Sequence, residues 1–342
     1  MKNLNFTNTI LLTMLIFGTL LTISASSWLT MWMGLEINML AFIPLLTESN
    51  NSLSSEASLK YFLIQAMASS IFIIASLLTL VFLNFKFSYL LSNLIMISIL
   101  IKLGSAPFHF WFPSIIQGLS WMNCFLMFTW QKIAPFYILY MLINSFMSYI
   151  FILFSSIWGA VGGLNQTSIR KIMTYSSINH ISWLMMSMKI NLNLFILYFM
   201  IYSMMMLILT WIFSYFNILH LNNLITLFDD NLMIKIIMMS NFMSLSGLPP
   251  FLGFLSKWMV LMNLMNYNMI FMMMILIMCS LLTLLYYMKI MISSLLILTS
   301  NYKMIFYFKK MFSFLNLNHF MMMFLSLLPL WSLPFFSYMI LI

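Results

Sequence analysis

The sequence predicts an all-α, polytopic membrane protein of about eleven transmembrane helices, built as two inverted five-helix repeats with two broken helices plus a C-terminal helix. First, 64% of the 342 residues are hydrophobic and only 6% are charged, whereas a soluble domain carries roughly a quarter charged residues. Second, apolar stretches such as 192–216 are continuous, whereas the strands of a membrane β-barrel alternate apolar and polar residues. Third, two apolar stretches, 88–118 and 235–265, are too long for one straight crossing.

Polar breaks divide the chain into spans that can each cross a hydrocarbon core of about 30 Å. The predicted spans cover about 4–24, 28–46, 57–83, 88–118, 121–143, 146–165, 171–189, 192–216, 235–265, 268–292 and 319–341. The first span is longer than the apolar core of a signal peptide, so we interpret it as a retained helix. No connection is polar enough to separate domains. We predict one membrane domain, with repeats at 1–144 and 145–295 and a connecting segment plus last helix at 296–342.

The basic residues of the loops predict the orientation of the chain, because loops on the side of synthesis are rich in Lys and Arg. Six basic residues lie on the N-terminal side and two on the other: Lys2, Arg170, Lys171, Lys303, Lys309 and Lys310 against Lys86 and Lys189. The N-terminus is therefore predicted on the side where the protein was made.

The fourth and ninth spans are predicted to be broken helices. Glycine and proline interrupt them, at Gly104 and Pro107 in the fourth and at Gly247, Pro249, Pro250 and Gly253 in the ninth. Because proline lacks an N–H group, we expect unpaired carbonyls at Leu103, Leu245 and Ser246, facing a polar cavity. A kinked helix with a surface turn is the alternative. Each five-helix copy then has its broken helix in fourth place, and copies of odd helix number run in opposite senses, as in many transporters.

Charged side chains inside the spans are candidates for function, since a charge at the bilayer centre costs at least about 2.5 kcal/mol. Glu36 and Lys132 lie near the middle of their spans, and Lys102 and Lys257 flank the two breaks. Lys235 lies at a span end, where its amine reaches the interface. Static ion pairing is the alternative, but one acid cannot neutralise three lysines. Burial disfavours the charged forms of amines and carboxyls, so these groups suit proton exchange.

The histidines and cysteines predict no cofactor and no metal bound by this chain. His180 lies in mid-span, at roughly the repeat position of Glu36, and is a candidate relay; a hydrogen-bonded structural histidine is the alternative. His109 follows the first break and lies either at a cavity or at the membrane boundary. Cys124 and Cys279 lie in apolar stretches, whereas iron–sulfur clusters and structural zinc use four ligands. The scattered basic residues do not predict binding of nucleic acid.

Six segments of the sequence resemble the chain 2 subunits of NADH–ubiquinone oxidoreductase, the antiporter-like subunits of respiratory complex I. The resembling segments are 32–38, 56–62, 102–111, 129–135, 162–168 and 247–258, and they occur in the family's order. The resemblance implies proton translocation by the family's acidic residue and lysines, which fall on Glu36, Lys60, Lys102, Lys132 and Lys257.

The same resemblance implies a mitochondrial inner-membrane location with the N-terminus in the matrix. It implies other membrane-arm subunits of complex I, lipids and protons as partners. FMN, iron–sulfur clusters and ubiquinone would be bound elsewhere in the complex. This chain looks like the shorter form that lacks the first helices of larger members, which leaves one flank for a neighbouring subunit or lipid. Two other classes stay open: a self-contained cation/proton antiporter and a purely structural membrane linker.

Overall fold

The computed structural model describes residues 6–48, 51–81, 85–143, 145–221 and 232–296, and these residues are almost entirely helical. The helices are α1 Phe6–Ser24, α2 Trp28–Leu46, α3 Ser52–Val81, α4 Phe85–Leu103, α5 Trp111–Ile116, α6 Trp121–Phe128, α7 Trp130–Leu142, α8 Met147–Gly163, α9 Ile169–Ile190, α10 Leu192–Phe216, α11 Leu232–Ser246, α12 Leu252–Asn266 and α13 Ile270–Leu296. The first ten predicted spans each match a helix or a pair of consecutive helices. The eleventh, at 319–341, lies outside the described residues.

Five of these helices are long and apolar enough to cross a membrane by themselves, namely α1, α2, α3, α10 and α13. Their apolar side chains are exposed on the outside, as at Phe17, Leu63 and Met278. This pattern is typical of a lipid-facing surface. The chain is a multi-pass membrane protein.

The most polar of the long helices, α9, lies at the centre of the second half of the chain. Of its 22 residues, 17 are buried, because α8, α10, α12 and α13 pack around it. Its serines donate to carbonyls one turn back within the helix, for example from Ser182 Oγ to Asn179 O at 2.6 Å. A helix that is buried on all sides needs no lipid-facing surface, so α9 carries polar residues in the middle of the membrane.

The two predicted breaks are present, and they are built alike. Each first segment ends with a glycine in the left-handed region, Gly104 with φ of 70° and Gly247 with φ of 83°. In each case the amide after the glycine donates to the carbonyl five residues back, from Ser105 N to Leu100 O and from Leu248 N to Met243 O, both at 3.1 Å. Such a C-cap provides hydrogen-bond donors for some backbone carbonyls of the last helical turn. The final carbonyls of that turn remain free to accept from other donors.

A third interruption, which was not predicted, divides the fifth span at Thr129. This residue has φ of −120° and ψ of −72° and separates α6 from α7. Its hydroxyl donates to Phe125 O at 2.8 Å. Pro135 lies inside α7 and is the signal in the sequence, because its missing N–H and its ring disturb the turn before it. The interruption places Lys132 in the first turn of α7.

Two helix contacts recur at the same spacing in the two halves of the chain. A Cβ on Gly18 would lie 2.9 Å from Asn38 N, and a Cβ on Gly159 would lie 2.5 Å from Asn179 N. Both partners of the second contact lie 141 residues after their counterparts, 18 to 159 and 38 to 179. In this register His180 corresponds to Met39, about one helical turn from Glu36. The predicted equivalence of His180 and Glu36 is therefore offset by a turn.

Candidate functional site

Lys102 and Lys132 line one buried cavity between α2, α3, α4 and α7. The cavity is small, with a volume of about 20 Å³, which is room for about one water molecule. Both lysines are almost fully buried, with 8% of Lys102 and 2% of Lys132 exposed. The other polar side chains that line the cavity are Asn38, Tyr61, Gln65 and Gln131. Two amines and several neutral polar groups therefore share one compartment.

The neutral polar groups of the cavity are ordered by hydrogen bonds between helices. Gln131 Nε2 donates to Asn38 Oδ1 at 3.1 Å, and Tyr61 OH makes a long contact of 3.5 Å to Gln131 Oε1. Gln65 Nε2 donates to Lys102 O at 3.3 Å, in the last turn before the first break. Since amides and hydroxyls both donate and accept, these side chains can bind water between the two lysines.

Lys132 points from the cavity toward the second half of the chain. Its amine donates to the hydroxyl of Tyr202 on α10 at 3.4 Å. The same nitrogen lies 5.4 Å from the ring centres of Phe112 and Tyr202, and aromatic faces stabilise a cation. Among the described residues no carboxylate lies within 4.0 Å of Lys132. Its charge is therefore supported by neutral groups.

His180 on α9 lies beside Tyr202, beyond Lys132. The His180 and Tyr202 ring centres are 5.0 Å apart, and His180 Nδ1 shares a hydrogen bond of 2.9 Å with the Tyr198 hydroxyl. His180 is within electrostatic range of both Lys132 and Lys257. It therefore lies between the two lysines, next to two tyrosines that are one turn apart on α10.

Lys257 on α12 folds back onto the break that precedes it. Its amine donates to Leu245 O at 3.1 Å and to Ser246 O at 2.8 Å, and it lies 5.8 Å from the ring centre of Trp183. These are the two carbonyls that Pro249 and Pro250 were predicted to leave unpaired. The lysine thus binds the end of α11, where a positive charge also complements the helix dipole.

Glu36 lies on α2 behind the lining of the cavity, within electrostatic range of Lys102 and Tyr61. No ion pair within 4.0 Å joins it to Lys102. Its Oε1 atom is buried and has no hydrogen-bond partner among the described residues. A buried carboxylate oxygen without a donor is costly, so this position is suited to a bound water or to a change of side-chain conformation toward Lys102.

Lys60 lies apart from this buried group. It forms an ion pair with Glu56 one turn earlier on α3, and 46% of the Lys60 side chain and 58% of the Glu56 side chain are exposed. Its amine is on the outer surface of the described chain. Lys102, Lys132, His180 and Lys257 lie in the interior as a series. Glu36 is partly buried beside Lys102, and Lys60 does not join them.

Several polar residues of this series were not singled out from the sequence, above all Tyr198, Tyr202, Gln131 and Asn38. The available signal was the spacing of Tyr198 and Tyr202, which puts both hydroxyls on one face of a helix. In an apolar stretch with many aromatic residues, this spacing alone does not distinguish them from ordinary packing. Their partners lie on other helices.

Two further histidines have other surroundings. His109 is buried against Phe110, Trp158 and Tyr175, and His220 belongs to the isolated bridge with Ser168. Within the described ranges, no three His, Cys, Asp or Glu side chains come together as a metal site would require. The absence of cofactors from the whole chain stays a prediction.

Residues 25–283 match the family model described as NADH:quinone oxidoreductase/Mrp antiporter, transmembrane. The chain is similar to the NADH-ubiquinone oxidoreductase chain 2 of Anopheles gambiae, with 47% identity over 281 residues that cover 81% of this chain and 82% of the relative. It is also 41% identical over 281 residues to the chain of that name from Locusta migratoria, covering 80% of both.

Among solved structures, a chain of respiratory complex I from Thermus thermophilus has a TM-score of 0.79 at 23% identity, covering 86% of this chain and 72% of that chain. A chain of the Mrp complex from Dietzia sp. has a TM-score of 0.72 at 17% identity, covering 82% of this chain and 59% of that one. At these identities the likeness shows the shared fold.

Proposed function

This chain belongs to the NADH:quinone oxidoreductase/Mrp antiporter transmembrane family, and from that membership we propose that it is a proton-translocating subunit in the membrane arm of an NADH:ubiquinone oxidoreductase. Quinone reduction elsewhere in the complex would provide the free energy, and buried ionisable groups of this chain would move protons across the membrane.

One observation supports the proposal above the others: buried ionisable and hydroxyl groups form a series that connects the two broken helices. The series runs from Lys102 at the first break through Lys132, Tyr202 and His180 to Lys257 at the second. Ionisable residues inside a membrane usually mark a proton or ion pathway. A structural linker would not need three amines in the interior without paired carboxylates.

Each ionisable residue of the series has a proposed role. Glu36 and Lys102 form a pair that closes and opens, since no ion pair holds them together in this conformation. Lys132 relays the proton between the two halves, with His180 beyond it. Lys257 releases the proton toward the side opposite the N-terminus. The family resemblance also assigns Lys60 a role in proton transfer. Because the Lys60 side chain is exposed, this assignment is the one that most needs a mutational test.

The rest of the proposed assignment concerns the complex. Electron transfer on FMN, iron–sulfur clusters and ubiquinone takes place in other subunits, and this chain has no redox centre. The location is the mitochondrial inner membrane, in keeping with the relatives' printed names. Other membrane-arm subunits and lipids contact the apolar outer surface, and protons are the transported species.

Replacing Lys132 by Met tests the proposal, because methionine keeps most of the unbranched side chain and removes the amine. In vesicles that contain the assembled complex, we expect NADH-driven proton translocation to fall about tenfold or more, since general acid–base groups contribute roughly 10²–10⁴-fold. Lys289→Met is the matched control, because Lys289 lies exposed on α13. Full coupled pumping by a normally assembled Lys132→Met complex would contradict the assigned role.

A self-contained cation/proton antiporter is the second candidate, because the family description also includes the Mrp antiporters. In that case the purified chain alone, in liposomes, would exchange Na⁺ or K⁺ for protons along an imposed pH gradient. Under the preferred proposal the isolated chain has no such activity, because transport depends on quinone reduction in the complex.

A further inference from the structure

The indole N–H of Trp32, in the second turn of α2, is buried and has no hydrogen-bond partner among the described residues. Tryptophans near the end of a membrane helix usually hold this group at the level of the lipid headgroups. The Trp32 ring packs instead against the hydrophobic core. A buried donor of this kind is costly unless some state of the protein offers it an acceptor. Trp32 therefore needs an acceptor that can reach it from close by.

Glu36 provides such an acceptor one helical turn further along α2. Its Oε1 atom is likewise buried without a donor in the part of the chain that the structure describes. An indole N–H can only donate, and an ionised carboxylate can only accept. Residues four apart lie on one side of a helix, and helical side chains lean toward the preceding turn. A change of the Glu36 rotamer can therefore bring its carboxylate to the Trp32 N–H.

Lys102 on α4 is the other partner that Glu36 can reach. The two groups lie within electrostatic range of each other, but no ion pair within 4.0 Å joins them. The carboxylate thus occupies a position in which it contacts neither the amine nor the indole. Hydrogen bonds to an ionised group are roughly twice as strong as neutral ones, so the indole can compete with the amine for Glu36.

We propose that Trp32 is a positioning residue, which binds the Glu36 carboxylate when Glu36 moves away from Lys102. In one conformation the carboxylate pairs with the Lys102 amine, and in the other it accepts a hydrogen bond from Trp32 Nε1. The indole stabilises the open conformation because it gives the carboxylate a donor without adding a charge. This inference rests on the proposed function and specifies where Glu36 goes when its pair with Lys102 opens.

The first test is Trp32→Phe, which keeps an aromatic ring and removes the N–H donor. In vesicles that contain the assembled complex, we expect NADH-driven proton translocation to fall about fivefold, because the Glu36–Lys102 pair then opens less often. Trp28→Phe is the matched control, since Trp28 lies one turn before Trp32 and its ring contacts Phe72. Trp28 is about 12 Å from Glu36 along the helix axis, so pumping by this variant should stay within about twofold of wild type.

A double variant separates a positioning role from a packing role. Glu36→Gln removes the charge on which the exchange of partners depends. Trp32→Phe/Glu36→Gln should therefore pump within about twofold of Glu36→Gln alone. A packing defect at Trp32 would lower pumping by the same factor whether or not the carboxylate is present. Equal fivefold losses in the two backgrounds would overturn the inference.

High-resolution maps of the wild-type complex provide a measurement that does not depend on the assembly of any variant. In complexes trapped during NADH turnover, we expect one conformer with Glu36 Oε1 within about 3.2 Å of Trp32 Nε1. A second conformer should show Glu36 paired with Lys102. Maps in which Glu36 never contacts Trp32 would overturn the inference.

The outcomes also distinguish this inference from the proposed function. If Lys132→Met abolishes pumping while Trp32→Phe pumps normally, the role of Trp32 is overturned and the proposed function stands. If Lys132→Met pumps normally, the proposed function falls, and the role of Trp32 in translocation falls with it.

Discussion

The amine of Lys132 and the hydroxyl of Tyr202 are joined by a hydrogen bond of 3.4 Å that connects the two halves of the chain. Lys132 lies on α7, the last helix before residue 144, and Tyr202 lies on α10 in the second half. The Tyr202 ring also contacts His180. Tyr202 thus lies between the cavity at Lys102 and His180, through its hydroxyl on one side and its ring on the other.

Tyr202→Phe should slow proton translocation without unfolding the chain, because the ring still fills the same space. The Lys132 amine loses its hydrogen-bond partner, and hydrogen bonds to charged groups contribute about 1.5–3 kcal/mol. We therefore expect a rate about tenfold to a hundredfold lower. The measurement is NADH-driven acidification of vesicles that contain the assembled complex. Tyr140→Phe, on the outer face of α7, is the control, and equal rates for the two variants would show that the Tyr202 hydroxyl is not used.

Lys257→Met should lower both stability and pumping, since the lysine binds two backbone carbonyls. Leaving Leu245 O and Ser246 O without a donor costs about 1–3 kcal/mol for each group. We expect a lower thermal midpoint of the assembled complex and a loss of pumping at temperatures where the complex is intact. An unchanged midpoint would mean that water or another donor replaces the amine at the end of α11.

The carbonyl groups at this break were predictable from the sequence, whereas their donor was not. Pro249 and Pro250 identify Leu245 and Ser246 by the backbone chemistry of proline. The donor is Lys257, which follows them by twelve and eleven residues, and only the reversal of the chain at 247–251 brings it back. Local rules apply to neighbours in the sequence, so they do not reveal contacts made across such a reversal.

The same limit explains the other differences between prediction and structure. The ten spans up to about 292 were predictable because lipid imposes a continuous apolar stretch on each helix. The break at Thr129 was not, because its proline lies six residues later. The contact of Lys132 with Tyr202 joins positions that are 70 residues apart, and no periodicity within one helix encodes it. The division into inverted repeats stays a prediction, supported by the recurring Gly18 and Gly159 contacts.

The acidic residues Glu36 and Glu56 allow a matched comparison of a partly buried and an exposed carboxylate. Glu36→Gln removes the carboxylate that lies within electrostatic range of Lys102, so we expect proton translocation to fall about tenfold. Glu56→Gln breaks an exposed pair that is worth about 0–1 kcal/mol, so pumping should stay within about twofold. Equal losses in both variants, measured at equal assembly, would contradict a special role for Glu36.

Lys60→Met decides whether the exposed lysine takes part in translocation. From its position on the outer face of α3, the loss of its pair with Glu56 should change pumping by less than about twofold. The family resemblance predicts a larger loss, comparable to that of Lys102→Met. Pumping at normal assembly separates the two expectations, and a large loss would indicate that a neighbouring subunit encloses Lys60 and gives it a role in the complex.

Gly247→Ala should lower both stability and pumping more than Gly104→Ala does. Both glycines have positive φ, where a Cβ costs roughly 1–2 kcal/mol, so both variants should lower the thermal midpoint. At Gly247 the new methyl group would lie 2.8 Å from Lys257 Cδ and would displace the amine from its carbonyls. At Gly104 it would lie 3.2 Å from the Trp111 ring and would leave Lys102 in place. We therefore expect pumping by Gly247→Ala to fall several-fold further than pumping by Gly104→Ala when both complexes are intact. Equal pumping would show that the position of the Lys257 amine does not control the rate.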